Sequence, residues 1–177
     1  IETMKYKVAL IGDLIFDKFI YYQSIKLSPE GPAPIVKKIR TAEAAGGAGN
    51  VAASLANLGL DLKFYFPFSK KDSTKVEELI IKLFKNIEIK REKIFTDLAN
   101  INPIKIRYYV DDRQYMREDN EINNLNKISV ISNELIDQIV FNHDIIVVAD
   151  YQKGCFDSDK LSYLIKTCNN LSKPLFI

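Results

Sequence analysis

The sequence predicts an α/β fold with a mostly parallel sheet flanked by helices, and three observations carry this prediction. Short apolar runs alternate along the 177 residues with amphipathic segments of helical spacing. Residues 7–11 and 145–149 have the composition of strands that are buried on both faces. The proline-rich stretch 28–34 joins two aromatic or β-branched runs, residues 16–22 and 35–39, which predicts a small antiparallel excursion from the main sheet.

The other elements follow from periodicity and from turn residues. Helices are predicted over residues 48–58, 73–84, 134–140 and 158–168, and further strands over 62–66, 104–110, 115–117 and 175–177. The last of these strands, ending at Ile177, has the composition of a buried strand. Asp111, Asp112 and Arg113 separate two of the strands and predict a hairpin turn. The stretch 121–127 is rich in asparagine and predicts a solvated loop.

The composition favours a small-molecule partner. The 25 Lys and Arg residues against 23 Asp and Glu residues leave a formal net charge of +2, which is too balanced to predict a nucleic-acid or membrane surface. Cys155 and Cys168 lack metal-ligand spacing and are too few for a disulfide scaffold, which favours a reducing, cytoplasmic setting. The first five residues lack the features of a signal peptide, and no apolar run approaches the roughly 20 residues that cross a bilayer.

Three polar places are candidates for a ligand site, because parallel α/β sheets bind ligands beyond the carboxyl ends of their strands. They are Gly12 and Asp13 with Asp17, the glycine-rich stretch 46–50 before a predicted helix, and the stretch 150–154 after a predicted strand. Taken one by one, these residues also fit structural roles that need no ligand. The glycines also fit a helix-packing cluster, the aspartates turn or cap positions, and the lysine of 150–154 a surface position.

Taken together, the segments resemble a known family. Residues 11–17, 27–36 and 46–52 are similar in order and spacing to the opening of the PfkB/ribokinase-family carbohydrate kinases. The Ser-Pro-Glu-x-Pro-x-Pro segment of the second stretch is similar to the heptose 7-phosphate kinase branch. Lys105-Ile106-Arg107 with Arg117-x-Asp119-x-Glu121, and the Asp-Tyr-x-Lys-Gly of 150–154, resemble later motifs of that branch. The resemblance spans residues 5–177 and implies a ribokinase-like fold in which residues 16–40 form the strands of a lid.

The resemblance also implies roles for ten residues, all of them in substrate binding. Asp17 and Asn50 would hold sugar hydroxyls, Gly46 and Gly47 would allow a close approach, and Asp13 would be a further sugar contact. Arg107 and Arg117 would bind a sugar phosphate, since a guanidinium matches phosphate geometry, with Asp119 orienting Arg117. The alternative for both arginines is a pair of surface residues on a hairpin. Asp150 would lie near the floor of the phosphoryl-transfer region, Lys153 near a phosphate, and no metal ligand is expected.

The implied activity is transfer of the ATP γ-phosphate to heptose 7-phosphate, giving the 1,7-bisphosphate used in ADP-heptose and lipopolysaccharide precursor synthesis. The family's D-x-x-G-A-G-D motif, which supplies the base and anion hole, does not occur in the 177 residues. No catalytic residue is therefore expected up to Ile177, and the base is expected beyond it.

We accordingly expect the chain to be the N-terminal, sugar-binding portion of one kinase domain, truncated before the C-terminal half. ATP and Mg²⁺ would bind mainly to that missing half, and the chain alone would be inactive. A homodimer through the lid strands is expected.

Two alternatives stay open at this stage: a PfkB kinase for another sugar or nucleoside, and a noncatalytic sugar-binding or regulatory relative. One departure from the family pattern bears on both. Where the family has a Val-Gly-x-x-Gly segment, this chain has Tyr65-Phe66-Pro67-Phe68-Ser69, so that both expected glycines are replaced.

Overall fold

The computed structural model describes residues 6–71, 73–99, 101–121 and 129–177. The strands within these ranges are β1 (Lys7–Gly12), β2 (Leu14–Leu27), β3 (Pro34–Gly47), β4 (Asp61–Ser69), β5 (Lys90–Thr96), β6 (Ile104–Val110), β7 (Arg113–Asn120), β8 (Ile145–Ala149) and β9 (Leu175–Phe176). The helices are α1 (Ala48–Asn57), α2 (Ser73–Leu83), α3 (Asn133–Asn142) and α4 (Ser158–Asn170). The loop predicted over 121–127 lies outside the described residues from position 122 onwards.

The main sheet, sheet A, is parallel throughout and has the strand order β5-β4-β1-β8-β9. Its central strand β1 is buried on both faces, as its composition predicts. Ala9 and Ile11 pack into a core with α3 and α4, whereas Val8 and Leu10 pack into a second core with α1 and α2. The three layers of helices, sheet and helices confirm the predicted α/β class.

A second sheet, sheet B, is mixed and has the order β3-β2-β6-β7. Its first two strands form a long antiparallel pair of 14 residues each, so the predicted excursion from the main sheet is confirmed and is longer than predicted. β6 pairs with β2 in parallel and β7 with β6 antiparallel, so sheet B has four strands. The predicted hairpin turn is present, with Asp111 and Asp112 both at positive φ, as a type I′ turn requires.

Both edges of sheet A differ from the sequence prediction. β5 was not predicted, because four successive charged residues, 90–93, hide the strand pattern of an edge that faces solvent. At the opposite edge, the predicted strand 175–177 is present as β9, which ends one residue earlier, at Phe176. Within the described ranges β9 pairs with β8 only.

Two segments near the predicted site also differ from the expectation. Gly46 and Gly47 are the last residues of β3 and lead directly into α1 without a loop. The segment 65–69, where the family has glycines, continues β4 and buries Phe66 and Phe68 in the core. No helix of the described ranges is long and apolar enough to span a membrane.

Candidate functional site

The topology of sheet A places its switch-point crevice at the carboxyl ends of β1 and β8, where the strand order reverses. β1 is flanked by β4 on one side and by β8 on the other. Helices α1 and α2 pack on one face of the sheet, and α3 and α4 pack on the other. Such a switch point is where open α/β sheets bind their ligands. Asp13 follows β1 and Asp150 follows β8, so two of the predicted site residues lie at this crevice.

Asp13 is buried, and its carboxylate is occupied by backbone donors. Its Oδ2 accepts hydrogen bonds from the amides of Tyr151 at 2.9 Å and Lys153 at 3.1 Å, and its Oδ1 from the amide of Cys155 at 2.9 Å. The residue is 1% exposed, and this burial raises the pKa of the carboxyl group, against the lowering effect of the three amides. The geometry makes Asp13 the anchor of the segment 151–155, and its contact with a sugar stays a prediction.

The segment after β8 also brings two distant motifs together. The carboxylate of Asp150 accepts from the amide of Gln152 at 2.8 Å, which closes a tight turn. The ammonium of Lys153 forms an ion pair with Glu121 at 2.9 Å. The lysine of the Asp-Tyr-x-Lys-Gly motif therefore contacts the glutamate of the Arg-x-Asp-x-Glu motif.

The glycine pair at the end of β3 is required by two separate constraints. Gly47 has φ 55° and ψ −133°, a backbone conformation that side chains disfavour, and it precedes α1, whose Ala48 amide donates to the Asp13 carbonyl at 3.0 Å. A Cβ on Gly46 would overlap the Oδ2 of Asp17 and lie 3.0 Å from its Cγ. The side chain of Asp17 thus passes directly across the backbone of Gly46, while Asn50 is exposed in the first turn of α1.

Asp17 and Arg107 form an ion pair across the parallel strands β2 and β6. Their side chains are 19% and 25% exposed, so both groups are partly withdrawn from water but still open to a ligand. The hydrogen bond from Arg107 to Asp17 raises the pKa of the guanidinium, and its planar face lies 5.6 Å from the ring centre of Phe19. The pair therefore offers a carboxylate and a guanidinium side by side on one face of sheet B.

Arg117 extends this face on the neighbouring strand. It is the direct cross-strand partner of Arg107 in the antiparallel pair of β6 and β7, and its Nε donates to Asp119 at 2.8 Å. Side chains of such partners stand about 5 Å apart at their Cβ atoms. The two guanidinium groups therefore lie next to each other. Each uses some of its N–H groups to bind a carboxylate and has others left.

The predicted residues thus fall into two adjoining groups. Asp13, Asp150 and Lys153 follow the carboxyl ends of β1 and β8 in sheet A. The charged residues of sheet B form what we call the lid face: Asp17, Lys105, Arg107, Arg117 and Asp119. Gly46 and Gly47 join the two groups, because one touches Asp17 and the other leads into the helix bonded to Asp13. Carboxylates that accept from hydroxyl groups, beside guanidiniums that bind phosphate, suit a phosphorylated polyol.

Two further features of sheet B lie close to these residues. Tyr21 and Tyr109 stack at 5.1 Å, and the guanidinium of Arg40 lies 3.5 Å from the ring centre of Tyr21, which extends the lid face with an aromatic patch. A cavity of about 330 Å³ lies between sheet B and α2, lined among others by Lys18, Glu43 and Leu79. Lys18 alternates with Asp17 and Phe19 along β2, so this cavity is on the opposite side of the sheet from Arg107.

The chain has the fold of the ribokinase-like carbohydrate kinases, as solved structures confirm. A carbohydrate kinase from Agrobacterium tumefaciens matches with a TM-score of 0.67 at 15% identity, over 96% of this chain and 52% of that chain. Arabidopsis thaliana ribokinase, solved with ribose and ATP, matches with a TM-score of 0.62 at 12% identity, over 97% of this chain and 53% of that chain. At these identities the likeness shows the fold.

Sequence comparison identifies relatives of this chain among curated proteins. No protein-family model matches the chain. The bifunctional protein HldE of Helicobacter pylori (strain HPAG1) is 31% identical over 173 residues, which cover 94% of this chain and 36% of that protein. HldE of Helicobacter acinonychis is 28% identical over 165 residues, covering 92% of this chain and 35% of that protein. The chain is a relative of HldE with the PfkB/ribokinase-like fold, and it spans about a third of the length of these curated relatives.

Proposed function

We propose that residues 1–177 form the sugar-binding part of an ATP-dependent carbohydrate kinase whose acceptor is a phosphorylated sugar, with heptose 7-phosphate as the first candidate. The observation that carries the proposal is the Asp17–Arg107 pair, which lies against Gly46 and beside Arg117 on one sheet face. A carboxylate and two guanidiniums in this arrangement match a hydroxyl-bearing ligand that also carries phosphate. The similarity to HldE favours a heptose over other sugars.

In this proposal each group has a distinct task. Asp17 accepts from a sugar hydroxyl, and Asn50 supplies a second hydroxyl ligand. Gly46 leaves room for the Asp17 carboxylate, and Gly47 turns the chain into α1, so the two glycines act on the sugar through Asp17 and not by direct approach. Arg107 and Arg117 bind the phosphate with the parts of their forks that Asp17 and Asp119 leave free.

The crevice of sheet A receives the sugar hydroxyl that is to be phosphorylated. Asp150 and Lys153 lie at its edge, held in place by the bonds from the segment 151–155 to Asp13. We propose that ATP, Mg²⁺ and the base that activates the attacking hydroxyl belong mainly to a second half of the kinase domain, beyond Ile177. The chain covers 53% of a ribokinase that was solved with ribose and ATP, which supports this division.

We further propose a cytoplasmic homodimer in which the lid strands of two copies meet. The far end of the β2–β3 hairpin exposes apolar side chains that nothing in the described residues covers, among them Ile25 at 61%, Leu27 at 75% and Ile39 at 54%. Exposed apolar surface of this kind marks an interaction site. One solved neighbour, phosphofructokinase-2 of Escherichia coli, was solved in a tetrameric inhibited form, which supports association in this fold.

Substituting the two arginines tests the proposal. Arg107→Met and Arg117→Met are each expected to weaken binding of heptose 7-phosphate by about tenfold or more, because each removes a charge-assisted contact to phosphate. Binding of unphosphorylated heptose, ribose or adenosine should be weak in every variant. Isothermal titration calorimetry of the 177-residue chain measures these affinities.

Arg113→Met is the matched control, since Arg113 is an exposed arginine at the start of the same strand, β7. It should leave the affinity for heptose 7-phosphate unchanged. The heptose proposal is wrong if ribose or adenosine binds more tightly than heptose 7-phosphate. The phosphate role is wrong if Arg107→Met and Arg117→Met behave like Arg113→Met.

A further inference from the structure

Lys105 occupies the centre of the lid face. On β6 it is the direct partner of Asp17 on β2 and of Asp119 on β7, so its side chain lies between two carboxylates. The next row across the three strands contains Phe19, Arg107 and Arg117. A lysine between two aspartates would ordinarily be their counterion.

The two ion pairs on the lid face do not include Lys105. Asp17 is paired with Arg107, and Asp119 with Arg117, so each carboxylate is held by an arginine from the adjacent row. Among the residues that the structure describes, Lys105 has no ion pair or hydrogen bond of its side chain, although the residue is half-buried. The partly buried Lys105 side chain thus lies between two carboxylates that are each paired with an arginine, and it has no ion pair of its own.

The positive and negative charges of the lid face do not balance. Lys105, Arg107 and Arg117 bring three positive charges, and Asp17 and Asp119 bring two negative charges, which leaves one positive charge in excess. A partly buried cation is stabilised by an anion within hydrogen-bonding reach. An ammonium directs up to three donors at such an anion without the fixed plane of a guanidinium, so it accommodates a tetrahedral phosphate between the two forks.

We propose that Lys105 binds the phosphate group of the acceptor and determines the preference for phosphorylated over unphosphorylated sugars. This inference rests on the proposed function and adds a residue and a selection step to it. The two arginines are already partly neutralised by their aspartates. Lys105 therefore supplies the positive charge that remains for an anionic ligand.

The test compares Lys105→Met with Lys18→Met. Lys18 lies on β2 next to Asp17 but on the other side of sheet B, so each change removes one positive charge from the same sheet. We expect Lys105→Met to weaken binding of heptose 7-phosphate and of inorganic phosphate by about tenfold or more, the effect of one lost charge-assisted bond. Unphosphorylated heptose should bind Lys105→Met and wild type within about twofold of each other, and Lys18→Met should bind heptose 7-phosphate within about twofold of wild type.

Lys105→Arg separates charge from structure. It retains a cation at the position and should recover most of the phosphate affinity that Lys105→Met loses, and thermal unfolding of all three variants verifies that they are folded. Equal heptose 7-phosphate affinity in Lys105→Met and wild type, with the affinity of Arg107→Met reduced, would overturn the role of Lys105 and leave the proposed function standing. Lys105-dependent binding of inorganic phosphate without any binding of sugar phosphate would support the anion role and overturn the sugar-kinase proposal. A wild-type chain that binds neither would overturn both.

Discussion

Replacing Asp13 with alanine is expected to lower the free energy of unfolding by about 3 kcal/mol, since it removes the shared acceptor of three backbone amides and leaves a buried donor unsatisfied. The amide of Cys155 is buried with its residue, whereas those of Tyr151 and Lys153 are more open to water. The segment 151–155 should then detach from β1. Hydrogen exchange should show loss of protection at these three amides, and chemical denaturation gives the free energy.

Two comparisons separate this effect from a general loss of charge. Asp13→Asn retains one acceptor oxygen, which suffices for the two bonds now made by Oδ2, but its amide group would face the third donor. It should therefore lie between wild type and Asp13→Ala. Asp97→Ala removes an exposed carboxylate whose ion pair with Lys70 spans 3.6 Å, and it should change stability little. A cost below about 1 kcal/mol for Asp13→Ala would contradict the anchoring role.

Gly46→Ala is expected to reduce sugar-phosphate affinity by about tenfold or more, through a single methyl group that forces Asp17 out of its place. The added Cβ would overlap the Asp17 carboxylate, so the side chain must rotate and its ion pair with Arg107 must open. The conflict is with a side chain and not with the backbone, which limits the loss of stability to about 1–3 kcal/mol. Calorimetric titration with heptose 7-phosphate measures the affinity.

The control for this substitution is Gly31→Ala, because a Cβ on Gly31 meets nothing within 4 Å. It should leave both affinity and stability unchanged. Retained affinity in Gly46→Ala would show that the observed position of Asp17 is unnecessary for binding, which would count against the site as described.

The layers of the fold were predictable from the sequence because they depend on local pattern. β8 matches the predicted strand at both ends, and α1, α2, α3 and α4 match within a few residues, since their apolar faces pack on sheet A as their spacing requires.

The edges of sheet A were harder to predict, because burial there depends on what lies beside a strand and not on its own composition. β5 was missed because a strand at the edge of a sheet can be mostly exposed and then lacks an apolar pattern. The single buried residue of β5 is Ile94. At the opposite edge the predicted strand 175–177 is present as β9, one residue shorter than predicted. The predicted strand 62–66 is longer in the structure, because β4 continues through Ser69 and buries Phe66 and Phe68.

The site could be predicted as a set of residue types but not as a set of contacts. Asp17 and Arg107 are 90 residues apart, and their pairing depends on the parallel register of β2 and β6, which no local pattern specifies. The role of Asp13 illustrates the same limit. Its place after β1 predicts a ligand, whereas the fold brings three backbone donors to its carboxylate from the segment that follows β8.

The measurement that tests the account most directly is a titration of the ¹⁵N-labelled chain with heptose 7-phosphate, followed by the amide shifts of individual residues. A sugar-phosphate site on the lid face predicts saturable shifts centred on Asp17, Arg107 and Arg117, and on Gly46, which contacts Asp17. Absence of shifts at millimolar ligand, or shifts confined to the cavity on the other side of sheet B around Lys18 and Glu43, would contradict it.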